Sequence, residues 1–234
     1  MTYEEIAKKE CLEWQRKMMK KSGLVNLAAK KIQVAINNKI PEAVHRTMTE
    51  AIKKITQAAL LGSKWTTQRP PAANLSLKER ETLIQEKIKT YKRVAAVEGA
   101  GTGAGGFWLS LADFPALLSI KMKFLFEAAT LYGFDVKDQR ERLFILYVFL
   151  TAFSSDEKRQ DAFLKLKNWE QYDHHPEMDW YTFQQEYRDT IDLAKLLQLV
   201  PGLGAAVGAF ANYRFLDHLG NTAMNAYRMR IFRL

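Results

Sequence analysis

The 234-residue chain has a single cysteine, Cys11. No disulfide can close within it, and a structural zinc site built on several thiolates is excluded. One thiol fits a reducing compartment. Proline is also scarce, with 6 in all. Two of them are adjacent, Pro70-Pro71, inside SKWTTQRPPAANL, and residues 63–75 are therefore expected to be a linker. Alternating apolar and polar runs flanked by turn dipeptides are missing, so no sheet is expected. An apolar leader is missing too. MTYEEIAKKE is charged from residue 4 onward, which argues against a secretory signal and for a cytoplasmic location.

Long hydrophobic runs are short of what a membrane span needs, about 20 mostly apolar residues. Leu196 to Tyr213 is uncharged over 18 residues but holds Gln198, Pro201 and Asn212. Residues 99–112 are uncharged, and Asp113, Lys121, Lys123 and Glu127 then interrupt. Charges at the centre of a span cost at least about 2.5 kcal/mol each. A membrane-peripheral protein is the expectation. An integral protein with one or two helical hairpins is the alternative.

What the chain does have is helical periodicity and a lopsided charge. Residues 1–97 carry 20 Lys/Arg against 9 Asp/Glu, residues 98–190 carry 10 against 15, and the net charge is +9. A basic N-terminal third points to an anionic membrane surface, an acidic protein face or nucleic acid. Nucleic acid is not expected. No motif for it is present, and Tyr3, Trp14, Trp65 and Tyr91 are too sparse to stack bases.

The pattern predicts an all-α fold. Residues 1–62 read as basic amphipathic helices, and 76–234 as a glycine-rich apolar helical core that forms one cooperative unit with them. Tyr3, Ala7, Cys11, Trp14 and Met18 recur at helical steps in the first helix. Its charged flank, Lys8, Lys9, Arg16, Lys17, Lys20 and Lys21 together with Trp14, is the candidate membrane or partner surface. Ser76 and Glu79 form a capping box for a helix running to about Glu98. Gly133 closes the helix that begins near Pro115, Ser155 is placed to cap a helix over 156–169, and two helices are expected at the end, 202–219 and 221–232.

The glycines cluster. GAGTGAGG, Gly99 to Gly106, contains G-x-G-x-x-G at Gly101, Gly103 and Gly106. A dinucleotide loop of that form must follow a strand. KIKTYKRVAAVE precedes it instead, with helical period. No phosphate-binding P-loop is present either. The stretch echoes later: Val97, Gly99, Gly101, Gly105 and Phe107 correspond to Val200, Gly202, Gly204, Gly208 and Phe210. Gly101/Gly105 and Gly204/Gly208 are each four apart, making flat strips for close helix contact. Glycine costs roughly 1 kcal/mol against alanine inside a helix, so several need a compensating contact.

Chemical constellations are thin. Asp173-His174-His175-x-Glu177-x-Asp179 reads as a solvated loop, since adjacent histidines lack helical zinc spacing. No metal, cofactor or catalytic residue is assigned, and an enzyme is not the favoured reading. Glu98 and Asp113 lie in apolar surroundings, with Arg214 and Asp217 on the echoing helix. A buried acid must be paired or neutralised. An ion-pair network between the glycine helices, Arg214 meeting Glu98 or Asp113, is expected. A polar site in an apolar cleft, for a small apolar ligand or a reaction, is the alternative.

AAVEGAGTGAGGFWLSLADFPALL, LYGFDVKDQRERLFILYVF and LVPGLGAAVGAFANYRFLDHLGNTAMNAYRMR together resemble the EcsC protein family, as do the N-terminal MTYEEIA and FQQEYRDTIDLAKLLQLVP. The family takes its name from a protein encoded beside a two-part ABC transporter. The resemblance implies a non-enzymatic accessory role at the cytoplasmic membrane, with a transporter subunit or an anionic bilayer as partner. It carries over no catalytic or ligand residue.

Overall fold

The computed structural model describes residues 1–20, 42–61, 74–103, 114–187 and 204–234. Every regular element among the described residues is helical: α1 Tyr3–Met19, α2 Glu42–Leu61, α3 Leu77–Gly103, α4 Phe114–Tyr132, α5 Gln139–Phe153, α6 Asp156–Lys167, a 3-10 turn Trp169–Gln171, a helical stretch over 180–187, and α7 Gly204–Phe232. The expected linker lies outside the described residues save for 74 and 75, as do residues 21–41 of the expected N-terminal helices.

Local chemistry sets most helix ends. Thr2 and Glu5 close a capping box on α1: the Glu5 carboxylate accepts from Thr2 N at 2.8 Å, and Thr2 Oγ1 accepts from Glu5 N at 3.3 Å. Ser76 and Glu79 do the same for α3, at 2.8 and 3.4 Å. Asp138 caps α5 through Arg140 N at 2.9 Å. Gly133 ends α4 at φ +95°, a left-handed conformation that favours glycine, and the Phe134 N–H returns to Ala129 O at 3.1 Å. The last carbonyls of α1 are met from α6, by Gln160 on Met19 O at 3.0 Å and Arg159 on Lys20 O at 2.9 Å.

Two long helices form the frame. α3 has 27 residues and α7 has 29, and they lie antiparallel against each other as the most extensive helix pair. Their register is readable from Glu81–Arg228, Ile88–Gly220 and Lys92–Asp217. α1, α4 and α5 pack around this pair, and α2 rests on α4 and α5. All residues from Phe144 to Phe153 are buried, so α5 is apolar on every side and sits inside. Its Phe149 meets Phe153, Phe183 and Tyr187 with ring centroids 4.5–5.5 Å apart. The apolar stripe of α1 is buried as its spacing predicts, with Cys11 fully enclosed and Trp14 edge-on to Phe163 at 5.5 Å.

Two expectations are corrected. The C-terminal segment is one helix through Gly220, not two. A Cβ at Gly220 would lie 2.5 Å from Ile88 Cδ1 and 2.7 Å from Cγ1, so this glycine permits close approach and does not end a helix. Ser155 precedes α6 without a side-chain cap; its N–H and hydroxyl both donate to Glu186, at 2.6 and 3.1 Å.

Gly220→Ala should lower stability by about 1–2 kcal/mol in urea unfolding, since overpacking outweighs alanine's helix propensity. In an Ile88→Ala background the clash is gone, and the same alanine should instead stabilise. An equal effect in both backgrounds would remove the close-approach argument.

Candidate functional site

α7 carries polar residues into the interior and satisfies them there. Arg228 meets Glu81 of α3 at two points, Nε to Oε1 and Nη2 to Oε2, both 2.7 Å. Glu81 is fully buried and also accepts from Tyr132 at 2.9 Å and Tyr3 at 2.5 Å. Arg228 Nη1 donates to Glu10 at 2.9 Å. Burial and the Glu81 carboxylate push the Tyr3 phenol up to about 12, and Tyr132 is raised well above its ordinary value for the same reasons. Burial also pushes the Cys11 thiol up, so it is not an activated nucleophile. Two residues on, Arg230 bonds Glu141 at 2.6 Å and Glu170 at 2.7 Å, with Tyr227 donating to Glu141 at 2.7 Å. The Arg230 guanidinium sits 3.8 Å from the Phe134 ring centroid. These clusters hold helices together. Each charge is matched inside, and neither cluster keeps a position open for a reacting group.

Lys121 is buried among aromatic rings. Its Nζ donates to Tyr187 Oη at 3.2 Å and lies 5.3–5.4 Å from the centroids of Phe153, Tyr187 and Phe215. Glu127 ties α4 to α3 through Tyr91 at 2.8 Å and Lys87 at 3.0 Å.

Beside the Arg228 cluster runs a cleft of about 740 Å³. Arg214, Asp217, His218, Asn221, Met224 and Arg228 line it from one stripe of α7. Gln85, Ile88, Lys89 and Lys92 face them from α3, with Glu10, Phe153 and Phe215 completing it. Lys92 bonds Asp217 at 2.5 Å and lies 3.9 Å from the Tyr213 ring centroid. Burial disfavours its charge, but Asp217 and Tyr213 outweigh that and raise its pKa overall.

The end of the α3–α7 pair shows a different surface. Val97 is 72% exposed and Phe210 65%, with Val94 and Tyr213 also exposed. By the antiparallel register these four fall within about 8 Å of one another along the pair, about 9 Å short of the helix ends at Gly103 and Gly204. Arg93 and Arg214, both exposed, stand at the same level, and exposed Lys89 follows within about 12 Å of Val97. Apolar and basic side chains thus share one exposed patch toward that pole.

Gly99 and Gly101 lie within α3, and Gly204 and Gly208 within α7. Gly105, Asp113, Gly202 and Lys21 lie outside the described residues, as does the side chain of Glu98. Arg214 is exposed, 6.0 Å from the Phe210 ring centroid, and the described ion pairs between the two glycine-bearing helices are Glu81–Arg228 and Lys92–Asp217. Lys8, Lys9, Arg16, Lys17 and Lys20 are exposed on α1 as expected of a surface. Trp14 is not part of it: the ring faces inward, because its position falls on the apolar stripe rather than the charged flank. Glu81 and Arg228 were missed. Their one signal is a charge at an apolar-stripe position, Glu81 between Leu77 and Ile84.

The pattern of the EcsC protein family matches residues 5–232. Protein EcsC of Bacillus subtilis (strain 168) is 47% identical over 233 residues, covering 100% of this chain and 98% of that protein. The uncharacterized protein YdbA of the same strain is 33% identical over 147 residues, covering 61% of this chain and 54% of that protein. No solved structure matches the chain. Among the described residues, no group of three or more His, Cys, Asp or Glu is placed to hold a metal ion.

Arg228→Met should destabilise by about 3–5 kcal/mol, because it strands the Glu81 carboxylate. Glu81→Leu combined with it should recover much of the loss, measured by thermal and urea unfolding. The raised phenols set a pH limit. In the unfolded chain tyrosine ionises near about 10, while in the folded chain Tyr3, Tyr132 and Tyr227 hold their protons to higher pH. The unfolded state then binds fewer protons, so stability falls as pH rises through that window. Ultraviolet phenolate absorbance should rise together with loss of helix. Smooth titration of all tyrosines in a still-helical protein would contradict this.

Proposed function

The chain belongs to the EcsC protein family, and from that premise we propose that it is a non-enzymatic accessory protein at the cytoplasmic face of the membrane, assisting an ABC transporter. The supporting observation is the exposed patch toward the pole of the α3–α7 pair. Val97 and Phe210 are exposed there, with Arg93 and Arg214 beside them and Lys89 below. That mixture suits an anionic bilayer: apolar side chains enter the acyl boundary while the cations pair with the headgroups. The exposed cations of α1 add to the same attraction. No helix among the described residues is long and apolar enough to cross a membrane. Attachment by a helix end rather than by a span is consistent with that. The internal matching of Glu81, Glu141, Arg228 and Arg230 supports a non-catalytic reading, since these charges are spent on packing.

Flotation with vesicles of mixed phosphatidylglycerol and phosphatidylcholine tests this. The protein should float at low salt and largely release as salt shortens the screening length below about 10 Å. Val97→Ser with Phe210→Ser should weaken retention at least about tenfold, from the apolar area withdrawn. No association of the unaltered protein, or equal retention of the double variant, would refute the bilayer contact. Carbonate-resistant retention would instead favour the integral reading.

A further inference from the structure

The side of the α3–α7 pair raises a question separate from its end. The cleft there has the size range of small-molecule sites and is lined by both walls of the helix pair. Four cations reach it, but they are not equivalent. Arg228 is committed to Glu81 and Glu10, and Lys92 to Asp217. Lys89 and Arg214 are exposed, and no ion pair among the described residues engages either. They come from opposite walls. By the register of the pair they stand about 8 Å apart along it, within reach of one another's long side chains. Between and behind them lie Ile88, Phe153, Phe215 and Met224. Two uncommitted cations over an apolar floor recognise one chemistry: an anion attached to a hydrocarbon.

We propose that this cleft binds a single acidic amphiphile, its phosphate or carboxylate held between Lys89 and Arg214 and its alkyl chain laid along Ile88, Phe215 and Met224. The guanidinium of Arg214 supplies a two-point donor for the oxygens, and Lys89 a compact charge opposite. Lys92–Asp217 closes the cleft between the helices beneath them. The site shares Lys89 and Arg214 with the bilayer contact but takes its apolar part from the cleft, at Ile88, Phe215 and Met224, rather than from Val97 and Phe210. Whether the occupant is a free molecule or a lipid drawn from a bilayer is decided by the arms of the test.

The probe is dodecyl phosphate below its micelle concentration, titrated calorimetrically into the full chain. One molecule should bind per protein. Shortening the probe to octyl and then butyl phosphate should weaken binding by up to about fourfold per methylene removed. Lys89→Gln and Arg214→Gln should each weaken it about tenfold, with melting temperatures unchanged because both side chains are exposed. Val97→Ser, at a side chain that does not line the cleft, should leave it unaltered while weakening vesicle retention, which separates this site from the membrane contact. A free amphiphile as occupant predicts binding to the soluble probe that vesicles do not compete away. A bilayer lipid predicts that phosphatidylglycerol vesicles do. Dodecyl maltoside binding as tightly as the phosphate would overturn the role of the cations. Inorganic phosphate binding as tightly, a flat chain-length series, or no change in both glutamine variants would each overturn the proposal.

Discussion

Glu81 and Arg228 hold the structure in register. A carboxylate and a guanidinium buried together are tolerable only when every lone pair and N–H finds a partner. Here Tyr3 comes from α1, Tyr132 from α4 and Glu10 again from α1, so one contact draws four helices to a common point. Such a pair adds little net stability over a well-packed apolar equivalent. What it does is penalise alternatives: sliding α3 past α7 by one turn would leave both charges buried without partners. Ile88 seated on Gly220 and the Lys92–Asp217 bond repeat the same register farther along.

With the two long helices set, the remaining surfaces follow. The side of the pair facing α4 and α5 is filled by rings and aliphatic side chains, with α5 enclosed over its whole apolar length. Beside the end of α5, whose Phe153 lines it, the pair stays partly open and forms the cleft. Farther along, Val97 and Phe210 are exposed on the pair. Basic residues that might have been dispersed lie along α3 at positions 87, 89, 92 and 93, adjoining both the cleft and the pole. The positive charge is thus carried by the element that forms both candidate surfaces, in addition to the outward flank of α1.

A division of labour among the glycines is visible in the same frame. Gly133 serves a left-handed turn. Gly220 serves close approach by a neighbouring side chain. Both look alike in the sequence, as glycines near the end of an apolar helix. The first sits where the pattern changes from helix to loop. The second sits within a helix whose apolar stripe carries on through Ala223, Ala226 and Tyr227, and that continuity is the readable difference.

The all-helical class, most helix starts, the Gly133 stop and the inward stripe of α1 were legible in the amino-acid sequence. They rest on short-range physics: capping side chains three residues from their donors, and a 3.6-residue period that marks one face as apolar. The exposed cations of α1 were legible for the same reason. The Glu81–Arg228 contact was not, since 147 residues separate its members. Nor were the role of Gly220 or the pairing of Lys92 with Asp217. Periodicity determines which face of a helix seeks cover. Which helix covers it, at what register, and which charges meet there is decided by the three-dimensional packing of the whole chain.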